Sequence, residues 1–253
     1  MSSSDSASTF AKGLSVLACF ETGRRDLTMA DIARLTGFDR ATVRRLCLTL
    51  LDTGYLSKRD RSLCLTPRVL ALAGGYLTAH DYGRSIQPVL NQFAEELDGE
   101  ISLAIRDEGR AIYVARSAMA SARVSLGFSV GSTLPLLHTA IGRMLLARTP
   151  FESAVDILAK TEMQRLTEAT DMDLWSIKSK IQDASAQGYA VVRNEFEMGM
   201  CGIAVPVGVI GSVQSVLGTV VSVNHVADPA ALDHILDVLR RTAMTLRGQQ
   251  AIT

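Results

Sequence analysis

Within two helical turns after Asp39 the chain places Arg40, Thr42, Arg44 and Arg45. The chemistry open to such a set is nucleic-acid recognition. Guanidiniums can pair with guanine edges in a major groove, while hydroxyls and further arginines hold phosphates. The intervening Val43, Leu46, Cys47, Leu50 and Leu51 recur at the spacing of an amphipathic helix. Asp39 stands at its N-cap and Gly54 at the left-handed position after its end. Taken alone, these arginines fit the solvated face of an ordinary surface helix equally well, so the flanking sequence must decide. Tyr55–Lys58 and Leu63–Thr66 read as two short strands around the polar turn Arg59-Asp60-Arg61-Ser62. That hairpin would carry Lys58, Arg59 and Arg61 at its tip, suited to phosphate or minor-groove contact. Residues 40–61 thus hold six basic and two acidic side chains, which favours the nucleic-acid reading.

Other reactive side chains give weaker patterns. Gly127-Phe128-Ser129-Val130-Gly131 matches the G-x-S-x-G elbow of serine hydrolases, but that elbow needs a helix directly after the serine. Here Gly131-Ser132-Thr133-Leu134-Pro135 reads as a loop. His138, His225 and His234 lack metal-type spacing, so no catalytic residue, metal or cofactor is expected. Cys19, Cys47, Cys64 and Cys201 are scattered without a C-x-x-C, as in reduced thiols of a cytoplasmic protein. Ligand binding is better supported. Leu134 to Thr139 runs from a loop into a helix N-terminus, whose free N–H groups suit a carboxylate. Ser222 and Asn224 share one side of a strand at period two, as a cavity wall or as a solvent-facing side.

The elements that must position these residues follow from periodicity. A first helix is expected over about Phe10–Phe20, after a Ser-rich frayed tail over residues 1–9. Thr28 opens a second helix with Asp31 as its capping-box partner; Met29, Ile32, Ala33 and Leu35 form its buried face, and Gly37 ends it. These elements make a helix-turn-helix with a wing over residues 10–66. Linker helices over residues 67–97 come next, with Thr66-Pro67 at the start and Pro88 as a late start or a kink. Gly74-Gly75 is poor helix material, either a hinge or a site of close packing. Residues 98–253 alternate between strands (Ile101–Arg106, Ala111–Ser117, Val124–Phe128, Tyr189–Arg193, Gly202–Val209, Leu217–Asn224) and helices (His138–Ala147, Phe151–Lys160, Asp171–Gln187, Pro229–Arg247). One contiguous core is expected there.

Composition is consistent with this division. The 253 residues are 47% hydrophobic and 21% charged, enough for folded cores. Net charge is zero, yet residues 1–80 carry 11 Lys and Arg against 7 Asp and Glu, and residues 81–253 carry 15 against 19. A basic module joined to a mildly acidic body is implied. No apolar run approaches the roughly 18 residues of a membrane span.

Three ordered stretches resemble one family. Residues 30–46, from Ala30-Asp31-Ile32-Ala33 through Thr42-Val43-Arg44-Arg45-Leu46, are similar to the helix-turn-helix of IclR-type transcriptional regulators. Leu134-Pro135 with residues 138–147 is similar to that family's effector-domain helix. Gly188-Tyr189-Ala190 through Gly199 to Ile203-Ala204-Val205-Pro206-Val207 is similar to its signature strands. The resemblance covers about Phe10 to Arg247 and implies an α+β, two-domain fold: a winged helix-turn-helix, a linker helix and a GAF-like effector-binding domain. On it the DNA contacts would be Arg40, Ala41, Thr42, Arg44, Arg45, Lys58, Arg59 and Arg61, and the pocket Leu126, Leu134, Ala140, Ile141, Val192, Gly202, Ser222 and Asn224. Val192 stands where an acidic residue can occur and Gly202 where a cysteine often does, so the pocket is less polar than in the family's small-acid binders and favours a larger ligand. Thr66 to Leu70 and Ile141 to Ala147 are closer to the branch regulating aromatic-acid catabolism, with effectors such as protocatechuate, 4-hydroxybenzoate or β-ketoadipate. Arg123 and His138 are then candidate carboxylate partners, since a buried acid needs a cation or donors. Expected partners are operator DNA, a small organic-acid effector, further copies of the chain as dimer or tetramer, and RNA polymerase at a promoter; none is a membrane. The rivals are a serine hydrolase built on Ser129 and a constitutive winged-helix protein whose body only oligomerises.

Overall fold

Thr28 Oγ1 accepts the Asp31 N–H while Asp31 Oδ2 accepts the Thr28 N–H, both at 3.1 Å, and this reciprocal cap starts the helix α2 (Met29–Thr36). Gly37 ends it at φ 71°. Asp39 Oδ1 then accepts the Thr42 N–H at 2.9 Å to open α3 (Arg40–Asp52). At the far end the Gly54 and Tyr55 N–H groups turn back to the carbonyls of Leu51 and Leu50, with Gly54 at φ 75°. That is the Schellman closure, in which glycine avoids Cβ strain. A hairpin of β1 (Leu56–Arg59) and β2 (Ser62–Leu65) follows, turning through Asp60 at φ 53°. Val16 and Phe20, Leu27, Ile32, Val43, Leu46 and Cys47, with Leu56 and Leu63 from the hairpin, close one small core. Leu35, expected in it, lies at the rim and is 44% exposed.

This computed structural model describes residues 3–118, 127–208 and 215–248. Its chain divides into two compact units, Met1–Tyr76 and Leu77–Thr253. Two expected boundaries change. The first helix, α1, spans Ser3–Ala18, so the segment expected as a frayed tail is largely helical. Residues 3–9 contain no Pro or Gly, and once a turn exists each added residue gains a hydrogen bond. The second change concerns residues 82–97, expected as linker. A π-turn over Tyr82–Ile86 and α5 (Gln87–Leu97) bury Ile86, Leu90, Phe93 and Ala94 in the larger unit. Only α4 (Arg68–Ala79) buries none of its residues, and it runs unbroken through Gly74-Gly75. Pro88 falls in the first turn of α5, directly after the π-turn.

The larger unit is built on a six-stranded antiparallel sheet in the order β5-β4-β3-β8-β7-β6. Its strands are β3 (Ser102–Asp107), β4 (Arg110–Arg116), β5 (Thr133–Pro135), β6 (Ala190–Arg193), β7 (Met200–Val207) and β8 (Ser215–Ser222). Helices α6 (Ala140–Arg148), α7 (Phe151–Lys160), α8 (Leu174–Gln187) and α9 (Pro229–Gly248) complete it. Both faces of the sheet are covered, so two cores form where one was expected. Leu103, Val114, Ala115 and Ile203 pack with α5 and α9; Ala104, Tyr113, Ala204 and Val216 pack with α6 and α8.

Three strand expectations also shift. The one over Val124–Phe128 falls mostly outside the described residues, and Gly127 and Phe128 are not in a strand. The stretch read as a loop contains β5, with Pro135 on the edge of the sheet, where a missing donor is tolerated. The last strand ends at Ser222 and does not reach Asn224.

Candidate nucleic-acid interface and ligand cavity

Burial of Val43, Leu46 and Cys47 turns the opposite side of α3 outward, so Arg40, Ala41, Arg44 and Arg45 are exposed and Thr42 is half-buried. Lys58, Arg59 and Arg61 are exposed on the hairpin. None of these six cations is in an ion pair among the described residues. That leaves them free for phosphate or base edges. Arg24 and Arg25, in the turn before Thr28, were not among the expected contacts. The fold folds that turn against the wing, where both line one cleft with Ser57, Lys58 and Arg59. Arg68 is occupied differently: its guanidinium bonds the Thr53 carbonyl and lies 5.4 Å from the Tyr55 ring centroid, bracing the end of α3.

In the larger unit, the sheet face under α6 leaves a cavity. Leu134, His138, Ala140, Ile141, Val192 and Gly202, six of the residues singled out from sequence, line it. Arg123 and Leu126 lie outside the described residues. Ser222 and Asn224 do not line it: Ser222 pairs with Met200 at the end of the sheet, and Asn224 is an exposed turn residue. Period-two reasoning carried the strand two residues too far, and Thr219 and Val220 supply that wall instead. Three aromatic rings were missed. Tyr113 and Phe128 have centroids 5.8 Å apart, and Phe128 and Phe196 5.9 Å, forming a tilted series suited to a flat apolar ring. Burial pushes the Tyr113 phenol up to about 12, so it stays neutral.

The polar end of the cavity is the start of α6. Thr139 Oγ1 caps the Gly142 N–H at 3.0 Å and donates to the Pro135 carbonyl at 2.8 Å. The N–H groups of Ala140 and Ile141, in the first turn, have no partner among the described residues. Close approach of this turn to its surroundings depends on glycine. A Cβ on Gly142 would lie 2.3 Å from the Leu136 carbonyl oxygen, and one on Gly202 3.3 Å from the Ala140 Cβ.

His138 is 1% exposed, and neither ring nitrogen makes a hydrogen bond. Its Nδ1 lies 3.8 Å from Glu195 Oε2. Glu195 is clamped from behind. Arg143 Nη1 and Nη2 donate to its two oxygens at 2.8 and 2.7 Å, Arg143 Nε donates to the Leu137 carbonyl, and the Asp171 N–H donates to Oε2 at 3.1 Å. Burial pushes the Glu195 carboxyl up, but His138 and the Arg143 guanidinium outweigh it and hold the group down at about 2. Neither Arg143 nor Glu195 was singled out from sequence as a site residue.

Ser129 is exposed and leads into the strand β5, not into a helix, so the elbow is not formed. No group of three or more His, Cys, Asp or Glu among the described residues could hold a metal. No helix among them is long and apolar enough to cross a membrane.

Comparison with known proteins bears on both sites. Residues 9–60 match the family model of the IclR helix-turn-helix domain, and residues 74–247 match that of the bacterial transcriptional regulator IclR C-terminal region. The Pca regulon regulatory protein of Pseudomonas putida is 36% identical over 203 residues, 80% of this chain and 70% of that protein. The p-hydroxybenzoate hydroxylase transcriptional activator of Acinetobacter baylyi is 31% identical over 243 residues, 94% of this chain and 90% of that protein. Among solved structures, the inducer-binding domain of the Acinetobacter transcription factor PobR, a double mutant in complex with 3-hydroxybenzoic acid, is 29% identical with a TM-score of 0.58. That match covers 64% of this chain and 94% of that chain.

Proposed function

The chain belongs to the IclR family of bacterial transcriptional regulators, and from that premise we propose that it binds operator DNA under the control of an aromatic acid. The observation that carries the effector class is the cavity: three aromatic rings beside a helix N-terminus and the buried His138, whose ring nitrogens make no hydrogen bond. A flat ring stacks among Tyr113, Phe128 and Phe196. Its carboxylate takes the free N–H groups of Ala140 and Ile141 and a hydrogen bond from His138. The helix dipole and those donors offset the desolvation that a buried anion would otherwise suffer. The names of two relatives, regulators of a Pca regulon and of p-hydroxybenzoate hydroxylase, support the same class. The protein then works in the cytoplasm as a dimer or tetramer, with RNA polymerase as its partner at the promoter. The boundary between the two units falls within α4, and we take this helix as the element that relays effector occupancy to α3.

The test is a gel-shift titration on DNA flanking the protein's own gene, with and without a panel of aromatic acids. Salt-sensitive, sequence-selective binding altered by one compound is the expected result. Selective binding indifferent to the whole panel removes the effector class. No selective binding at any salt concentration removes the reading of α3.

The two groups of cations should behave differently in that assay. Arg44→Ala, from the face of α3, should lose about 1–3 kcal/mol on operator and relax base preference, whereas Arg59→Ala should weaken all sequences alike and lower the salt slope by about one. Equal losses on operator and random DNA for Arg44→Ala would show that it holds backbone and reads no base.

A further inference from the structure

The turn that carries Arg24 and Arg25 is pinned to the wing. The Leu27 N–H donates to the Leu63 carbonyl at 3.0 Å and the Leu63 N–H to the Leu27 carbonyl at 2.8 Å. The strand β2 is therefore flanked by Leu27 on one side and by β1 on the other. Leu27 and Leu63 are both buried in the small core, which fixes the level of the residues before Leu27. One residue back, Asp26 Oδ1 accepts the Cys64 thiol at 2.7 Å. Gly23 reverses the chain at φ 73°, with its N–H on the Phe20 carbonyl. Bonds on either side of Arg24 and Arg25 thus hold them beside the hairpin, without use of their own guanidiniums.

Arg24 and Arg25 share one cleft with Ser57, Lys58, Arg59 and Cys64. Both are exposed, and neither is in an ion pair among the described residues. Adjacent strands lie about 4.8 Å apart, so the two pairs of cations stand on either side of β2 with their backbones about 10 Å apart. Asp26, next to them in sequence, is the acceptor of the Cys64 thiol. That bond raises the thiol above its ordinary value, so Cys64 stays neutral and brings no negative charge to the cleft. Four cations gathered near one carboxylate repel one another until an anion covers them. Duplex DNA supplies such a cover, since its one charge per roughly 1.7 Å of axis puts several phosphates within that span. Lys58 and Arg59 belong to the hairpin's cationic end as well as to the cleft, so the cleft continues the nucleic-acid interface.

We propose that Arg24 and Arg25 form a third DNA-contacting segment, besides α3 and the wing, and hold phosphates next to those bound by Lys58 and Arg59. Phosphates repeat whatever the sequence, so this segment adds affinity and position, not base preference. The inference rests on the DNA-binding reading of α3.

Gel-shift titration of the full chain at several salt concentrations tests it, on DNA flanking the protein's own gene and on a random duplex of equal length. Arg24→Ala/Arg25→Ala should bind both duplexes about tenfold or more weaker near 0.1 M salt, and the salt slope should fall by about two, one for each phosphate given up. Arg24→Lys/Arg25→Lys should keep the wild-type slope, since lysine holds a phosphate as a point charge. Ethylation interference on the flanking DNA should lose phosphates in the alanine variant, with the melting transition as a check on folding. An alanine variant with unchanged affinity and slope overturns the third segment, and so does a lysine variant as weak as the alanine one. A loss confined to the flanking DNA overturns it too, because the arginines would then read bases. An alanine variant that binds DNA normally but fails in transcription with RNA polymerase would hand the cleft to an acidic protein surface instead. Were the wild type to bind neither duplex, the reading of α3 would fail and this segment with it; wild-type binding that the alanine variant leaves intact removes the segment alone.

Discussion

Glu195→Ala should destabilise the larger unit by about 3–5 kcal/mol, the usual cost of removing one partner from a buried ion pair. The size follows from what is left behind. Arg143 is 2% exposed, and without Glu195 two of its donors lose their partners in a buried site. The Asp171 N–H would lose an acceptor as well. Urea unfolding followed by circular dichroism measures the change; a loss below about 1 kcal/mol would mean that water or another acid reaches Arg143. The same pair sets an acid limit. The Glu195 carboxyl is lowered in the folded state from its ordinary value of 4.5 to about 2. Its contribution is therefore complete above about pH 5 and is lost as pH falls through 4.5 towards 2. In Glu195→Gln that part of the acid sensitivity should disappear, which a melting-temperature profile between pH 2 and 6 would reveal.

Gly142→Ala should be the second severe change, about 3 kcal/mol or more, and its sign is the reverse of the helix-propensity rule. Alanine in place of glycine ordinarily stabilises a helix by roughly 1 kcal/mol. Here the added Cβ would meet the Leu136 backbone, its carbonyl oxygen at 2.3 Å and its Cα at 2.4 Å, and backbone cannot rotate away. The first turn of α6 must lift, which is an overpacking penalty at the upper end of its range. Because that turn carries the free N–H groups of Ala140 and Ile141, effector affinity should fall along with the melting temperature. A variant as stable as the wild type would show that the Leu136 segment yields freely.

The contrast between the two sites explains what the sequence could convey. Recognition of α3 needed only residues within one or two turns: the apolar stripe, Asp39 before it and Gly54 after it. Such local signals survive in a linear string. The cavity is assembled across the sheet, from Tyr113 on β4, Phe196 after β6 and Thr219 on β8, and no short-range period links them. Arg143 did carry a signal, since Ala140 to Ala147 is otherwise apolar on every side and all of it is buried. An arginine in such a helix demands an acid, but nothing local pointed to Glu195, 52 residues on. Asn224 failed for a different reason, because alternation shows which way side chains point and not where a strand stops. A bulge at Val114, where Leu103 pairs with Ala115 but Ala104 with Tyr113, defeats alternation outright.

The outer strands of the sheet bear on how copies of the chain can join. On one side β5 is three residues long and ends in Pro135, which has no N–H to offer a newcomer. On the other, β6 has four residues and runs into Arg193, exposed, and Asn194 at φ 61°, which turns the chain out of the sheet's path. Short edges broken by proline, charge and a left-handed residue resist strand addition. Among the described residues, the sheet is thus guarded against runaway edge-to-edge growth, the first step towards aggregation, at both of its borders.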